Sequence, residues 1–435
     1  MLRQLSTKFS NNILTFFFTT GVVCGLSTQG HAAGFYIQEQ SVSGLGSAYA
    51  GQSAMPRDAS ILFYNPAGIT YLEQAQASLG VHFIAPHMKL KDTGTTLDPV
   101  GATPPTSLAG LGITAGDGGN PGSISPVPNG YVAFPITDEG DWWGGFGVSA
   151  PFGLGSRYND QFFGRYVSTE TDLKTIDFHP TLAYKPNDWF AFGAGAVIEH
   201  VDGNLKRFLS SNDLAVLAGE DWSLGFTVGM MLDPTEDTRI GLNYRSKVNH
   251  TLRGDVKVDN ALVGSSKASA DLGMPDMASL GVAHEFNDKW TGLAQVNWYG
   301  WKNFDLLTPV RDDGTAASAT PFYYQNCWGY AIGAEYHLDD KWTLRAGYQY
   351  DETPTTDEYR STINPDGDRQ WFSAGTTYNY SEKISLDFAA TYIDIQEETI
   401  SQQRDGGAVL PLADVQAKAQ NAYVGIVSFA INYKF

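Results

Sequence analysis

The chain has 435 residues, 42% hydrophobic, 13% aromatic and 17% charged, with 47 glycines. So many aromatics exclude a disordered chain, and beyond the N-terminus no apolar run reaches the roughly 18 residues that a spanning helix needs. Acidic residues outnumber basic ones 47 to 28, which excludes a nucleic-acid partner, because phosphate contacts need clustered Lys and Arg.

The chain opens on a targeting signal. Arg3 and Lys8 form a basic n-region, Ile13 to Leu26 an apolar h-region, and Gly30-His31-Ala32 a small-x-small cleavage site. Residues 1–32 are therefore expected to be a secretory signal peptide, with the mature chain starting at Ala33. Cys24 leaves with it, so Cys327 stands alone and no intramolecular disulfide can form.

Residues 33–74 lack a strand period. Gly34, Gly44, Gly46, Gly51 and Gly68 lie among Ser and Ala, while Phe35, Ile37, Leu45, Tyr49, Ile61, Leu62, Phe63 and Tyr64 follow no clean repeat. A solvated tail needs no such set of large apolar residues. The segment is expected to be a compact hatch.

From residue 75 to 435 the sequence alternates faces. Trp342, Leu344, Ala346, Tyr348 and Tyr350 share one face; Thr343, Arg345, Gly347, Gln349 and Asp351 share the other. Period two marks strands. They are expected near 75–87, 126–135, 141–150, 173–186, 188–202, 222–233, 238–249, 275–286, 289–300, 327–338, 341–351, 368–380, 383–394 and 421–435. Alternation alone fits a soluble sandwich as well as a membrane barrel. The connections discriminate. Short turns such as Pro186-Asn187, Asn287-Asp288 and Asp339-Asp340 alternate with long segments such as 88–125, 250–274 and 395–420, the topology of an outer-membrane barrel. The expected fold is all-β: a 14-stranded antiparallel transmembrane β-barrel, its lumen plugged by the N-terminal hatch. The chain ends on Val427, Phe429, Ile431, Tyr433 and Phe435, a last strand that closes the barrel and resembles the terminal signal read by the barrel-assembly machinery.

Gly34-Phe35, Ser43-Gly44-Leu45-Gly46-Ser47-Ala48-Tyr49-Ala50-Gly51 and Asn65-Pro66-Ala67-Gly68 resemble the hatch of the outer-membrane long-chain fatty acid transporters. Pro151-Phe152-Gly153-Leu154, Leu205-Lys206-Arg207-Phe208 and Gly241-Leu242-Asn243-Tyr244-Arg245-Ser246 extend the resemblance along the chain. It implies passive, ligand-gated uptake of hydrophobic molecules with sideways release into the membrane. Phe35, Asn65, Pro66 and Ala67 would then belong to the gating hatch. Pro151, Phe152 and Gly153 match the place where the third strand kinks inward, and a Pro and a Gly there interrupt pairing readily. Arg207 matches a head-group arginine, and a guanidinium fork suits a carboxylate. Lys206 and Phe208 flank it, and Leu205, Phe208, Leu209, Leu214, Val216 and Leu217 are expected to form a short amphipathic helix over the pocket. Phe162, Phe163 and Tyr166 offer loop aromatics for capture.

One departure weakens fatty-acid selectivity. Gln325 stands where the family can present a second cation, so a neutral or aromatic hydrocarbon remains an alternative, as does a general diffusion porin. No G-x-S-x-G and no His pair at zinc spacing occur, so neither an enzyme nor a metal or cofactor site is expected. The expected location is the outer membrane of a Gram-negative bacterium. The expected partners are hydrophobic small molecules, membrane lipid with lipopolysaccharide, and the assembly machinery, for a monomeric chain.

Overall fold

The computed structural model describes residues 34–98, 106–112, 114–209, 213–258, 264–316, 319–402 and 412–435. The expected signal peptide at 1–32 lies outside them.

Fourteen antiparallel strands close into a barrel. They are β1 (Gln76–Asp92), β2 (Ser125–Pro135), β3 (Trp142–Ser149, resuming as Gly153–Arg157), β4 (Glu170–Asn187), β5 (Phe190–Phe208), β6 (Leu214–Thr235) and β7 (Thr238–Arg245, resuming as Val248–Val258). They continue as β8 (Ser266–Met274, resuming as Met277–Asn287), β9 (Trp290–Tyr299), β10 (Cys327–His337), β11 (Trp342–Asp351), β12 (Arg369–Asn379), β13 (Ile384–Ile395, resuming as Thr399–Gln402) and β14 (Leu412–Lys434). Each strand pairs with the next. β14 then returns to β1, with Phe429 opposite Val81 and Val427 opposite Phe83. Closure joins the first strand to the last, so neither terminal strand leaves unpaired amides in lipid, where no water can bind them.

Burial tells barrel from sandwich. Leu224 is 71% exposed and Ile332 64%, while Asp177, Glu199 and Gln349 are all at 0%. The apolar face points out and the polar face points in, the reverse of a soluble core. Aromatic residues gather at the two ends of the outer face. Trp290 packs on Tyr336 and Trp342 on Tyr378 near the short turns; Trp222 packs on Phe178 and Tyr392 on Tyr423 toward the long loops.

Residues 34–72 pack within this ring. They form two short helices, α1 (Val42–Leu45) and α2 (Ile61–Tyr64), and a 3₁₀ turn at Pro66–Tyr71. These elements touch strands on several sides of the barrel, among them β1, β3, β4, β6, β12 and β13. Inward glycines let backbone meet backbone. A Cβ at Gly347 or Gly241 would collide with the carbonyl of Ser47 or Ser53. Ion pairs add to the fit: Arg57 is paired with Glu335 of β10, which also binds Arg345 of β11 at 2.8 Å.

Most expected strands agree with the observed bounds to within a few residues, but the sheet runs further outward. β6 begins at Leu214 and β14 at Leu412. The expected helix over 205–217 is instead a hairpin of β5 and β6, in which Leu205 faces Leu217 and Arg207 faces Ala215. Ladder partners on β4 and β7 satisfy that backbone, and the same apolar spacing that suits a helix also suits two paired strands.

Candidate functional site

The site is built around the break in β3. β2 and β3 pair from Pro135↔Trp143 to Gly130↔Val148. Continuing that register would set Ala150 opposite Pro128 and Phe152 opposite Pro126. Among the described residues the ladder does not continue. Pro126 and Pro128 have no N–H to donate, so they suit an unpaired edge. β3 turns inward, and Ala150, Phe152 and Leu154 are all buried. Its hold on β4 persists: Thr175 N–H donates to the Phe152 carbonyl at 3.0 Å.

The N-terminal segment replaces the missing partner. Gly153 N–H donates to the Phe35 carbonyl at 3.0 Å, and Ile37 N–H donates to the Pro151 carbonyl at 2.7 Å. Tyr36 bridges Phe152 as an isolated antiparallel pair. The Phe35 ring meets Trp301 at 4.6 Å, Phe304 at 4.9 Å and Phe152 at 6.1 Å, measured between centroids.

Phe304 also lines a largely apolar pocket. Leu154, Leu173, Leu205, Leu217, Leu252, Leu272, Phe322 and Ile363 contribute to its wall beside polar Thr171, Asp172, Asn204 and Ser269, and among the described residues no Lys or Arg lines it. Beyond Phe35, Tyr36 stands 5.6 Å from Tyr299. Both border a smaller chamber with a more polar lining, which includes Asn243, Arg245, Gln295 and Asn297. An aromatic partition thus separates an apolar pocket from a polar one.

The remaining sequence candidates fall in three groups. Asn65 is buried against the wall. Its Nδ2 donates to the carbonyls of Ser53 at 2.7 Å and Met230 at 2.9 Å, and its Oδ1 accepts from Ala67 N–H at 3.1 Å, capping the 3₁₀ turn. A Cβ at Gly193 would lie 2.6 Å from Ala67 N and Pro66 C, so Asn65-Pro66-Ala67 docks onto glycines of β5 and β6. Arg207 lies on β5, two residues beyond pocket-lining Leu205, already engaged and not part of the pocket wall. Lys206 is held by Glu170 at 2.9 Å, and Phe208 lies 5.6 Å beneath the Arg165 guanidinium. Phe162, Phe163 and Tyr166, expected as capture aromatics, are buried. Phe162 stacks on Tyr158 at 3.9 Å, and the loop that carries it folds back on itself. Gln325 is exposed and gives its side-chain N–H to the Tyr323 carbonyl at 3.4 Å.

Sequence reasoning missed Trp301, Phe304 and Phe322, which lie in a long loop without a period, and Gln40. It also missed a buried polar network on the inner wall. There Arg245 pairs with Asp177, and His250 meets Glu199 at 2.9 Å and Asp221 at 3.2 Å. Only inward parity, strand by strand, could have grouped these residues.

A lipid-facing barrel with an internal segment and an apolar pocket beside a wall break defines a transport barrel of the outer membrane. The chain belongs to the family described as "Outer membrane protein transport protein (OMPP1/FadL/TodX)", whose profile matches residues 23–435. It is 28% identical to the long-chain fatty acid transport protein of Escherichia coli O6:H1 over 428 residues, covering 88% of this chain and 92% of the relative. It is 29% identical to outer membrane protein P1 of Haemophilus influenzae, covering 93% and 96%. The crystal structure of a Pseudomonas aeruginosa FadL homologue superposes with a TM-score of 0.83 at 27% identity, covering 93% of this chain and 100% of that one. The toluene transporter TbuX of Ralstonia pickettii shares the fold with a TM-score of 0.64 at 17% identity, covering 90% and 99%.

Proposed function

We propose that this chain carries long-chain fatty acids or related hydrophobic molecules into the outer membrane by passive, ligand-gated diffusion. A molecule enters the apolar pocket between the loops. Its arrival displaces Phe35, which forms the partition, and it leaves sideways between β2 and the broken β3. The observation that carries this reading is the contact of Phe35 with both Phe304 of the pocket and Phe152 of the break. In this reading the segment 34–72 is a hatch that stays docked through Asn65-Pro66-Ala67, while its first residues move.

The pocket wall favours a second reading within the same class. With no Lys or Arg among the described lining residues, a neutral hydrocarbon needs nothing that is missing, whereas a carboxylate must reach Arg207, two residues along β5 from the lining Leu205. A general diffusion porin fits less well, since residues 34–72 occupy the lumen and are largely buried. Uptake of labelled oleate and of toluene by a null strain carrying this chain tests the proposal. Entry of either faster than in the empty strain is the expected result, and entry of neither removes it.

A further inference from the structure

Where β3 leaves β2, the backbone of Ala150 loses its ladder partner. Buried backbone groups are otherwise nearly always paired. Here a side chain takes the place of a strand. Ala150 N–H donates to Gln40 Oε1 at 3.2 Å, and Gln40 Nε2 donates back to the Ala150 carbonyl at 3.0 Å. This is the reciprocal pair that a strand residue opposite Ala150 would make. Gln40 is itself fully buried and fixed from both sides. Its Nε2 also reaches the Ile37 carbonyl at 3.2 Å, and its own carbonyl accepts from the Tyr131 hydroxyl of β2 at 3.0 Å. Gln40 is therefore tied to β2 through its backbone and to β3 through its carboxamide, at the level where the two strands part.

We propose that Gln40 is the positioning residue of the wall opening: its carboxamide splints Ala150 in the inward course, so residues 35–40 and 150–153 move as one unit. Displacing the front of the segment withdraws the splint and lets the broken strand shift. The inference deepens the sideways-passage reading and rests on it for its role in transport.

The test uses Gln40→Met, which keeps length and removes both hydrogen bonds, and Gln40→Glu, which keeps only the acceptor for Ala150 N–H. In a Cys327→Ser background, Pro128→Cys and Ala150→Cys report approach of the two strands by disulfide formation in the purified full-length protein. Heat-modifiable gel mobility checks that each barrel is folded. Gln40→Met is expected to cross-link about tenfold faster than the parent, with Gln40→Glu between them, a shift of the size that losing such a pair of bonds gives. Equal rates in all three overturn the proposal. Uptake is measured in parallel. A parent that imports neither oleate nor toluene defeats the transport reading, while the cross-linking rates still decide the role of Gln40. If the parent imports, Gln40→Met is expected to import several-fold more slowly with pocket binding of a fluorescent fatty acid unchanged; unchanged uptake overturns the coupling.

Discussion

The ring of Phe35 stands edge-on to Trp301, 4.6 Å between centroids, with both side chains at 0% exposure. One residue from the N-terminal segment and one from a long loop thus complete the partition between the apolar pocket and the polar chamber. Phe35→Ala removes the contacts to Trp301, Phe304 and Phe152 together. Losing such a buried ring typically costs about 3–5 kcal/mol, which here falls on the partition and leaves the barrel ladder intact. In planar bilayers the variant is expected to show steady ion conductance where the parent shows little, while heat-modifiable mobility is unchanged.

The docking of Asn65 is tested from both of its sides. Asn65→Ala strands the carbonyls of Ser53 and Met230 and uncaps the 3₁₀ turn, a loss of roughly 1–3 kcal/mol. Gly229→Val places a Cβ against the Asn65 side chain, although Val is the better strand former. Both variants are expected to expose the segment 34–72 to added protease faster than in the parent, with the barrel resistant.

Much of the fold was legible because a barrel writes its architecture locally. Trp342 to Asp351 alternates residue by residue, the turn before it carries Asp339-Asp340, and the next short turn, between β12 and β13, carries Tyr380-Ser381-Glu382. The site was less legible because its contacts join distant residues. Arg57 and Glu335 are separated by 278 positions, and Gln40 and Ala150 by 110. Nothing local distinguishes Gln40 from the neighbouring Gln38. The 205–217 stretch suits a helix by its three- and four-residue apolar spacing, yet Leu205 faces Leu217 and Phe208 faces Leu214 across a hairpin, and the choice is made by strands β4 and β7 alongside.

Burial holds the Glu39 carboxyl up to about 8, against the pull of its own backbone hydrogen bond and of Arg369, with Asp351 adding to the rise. The neutral acid is favoured in the packed segment. The stability this contributes is complete below the ordinary value of 4.5 and is lost as pH rises through about 8. Proteolysis of the segment is therefore expected to quicken as pH rises from about 4.5 to about 8 and to level off above that. Glu39→Gln should flatten that profile; an unchanged slope assigns it to other groups.

Arg207 separates the two substrate readings. If it holds a head group, Arg207→Ala weakens binding of a fluorescent fatty acid by about tenfold, the scale of one charge-assisted hydrogen bond, and leaves a neutral aromatic probe unaffected. Equal losses for both probes remove the head-group role and favour hydrocarbons.

The central claim is that cargo leaves through the wall where β2 and β3 part. It is tested most directly by completing the ladder. Pro126→Thr and Pro128→Thr restore donors on β2, and Pro151→Val with Gly153→Thr restores strand-forming residues on β3. Sideways passage predicts that uptake of oleate and toluene by this variant falls to the level of the empty strain, while probe binding in the outer pocket persists. Uptake equal to that of the parent contradicts it.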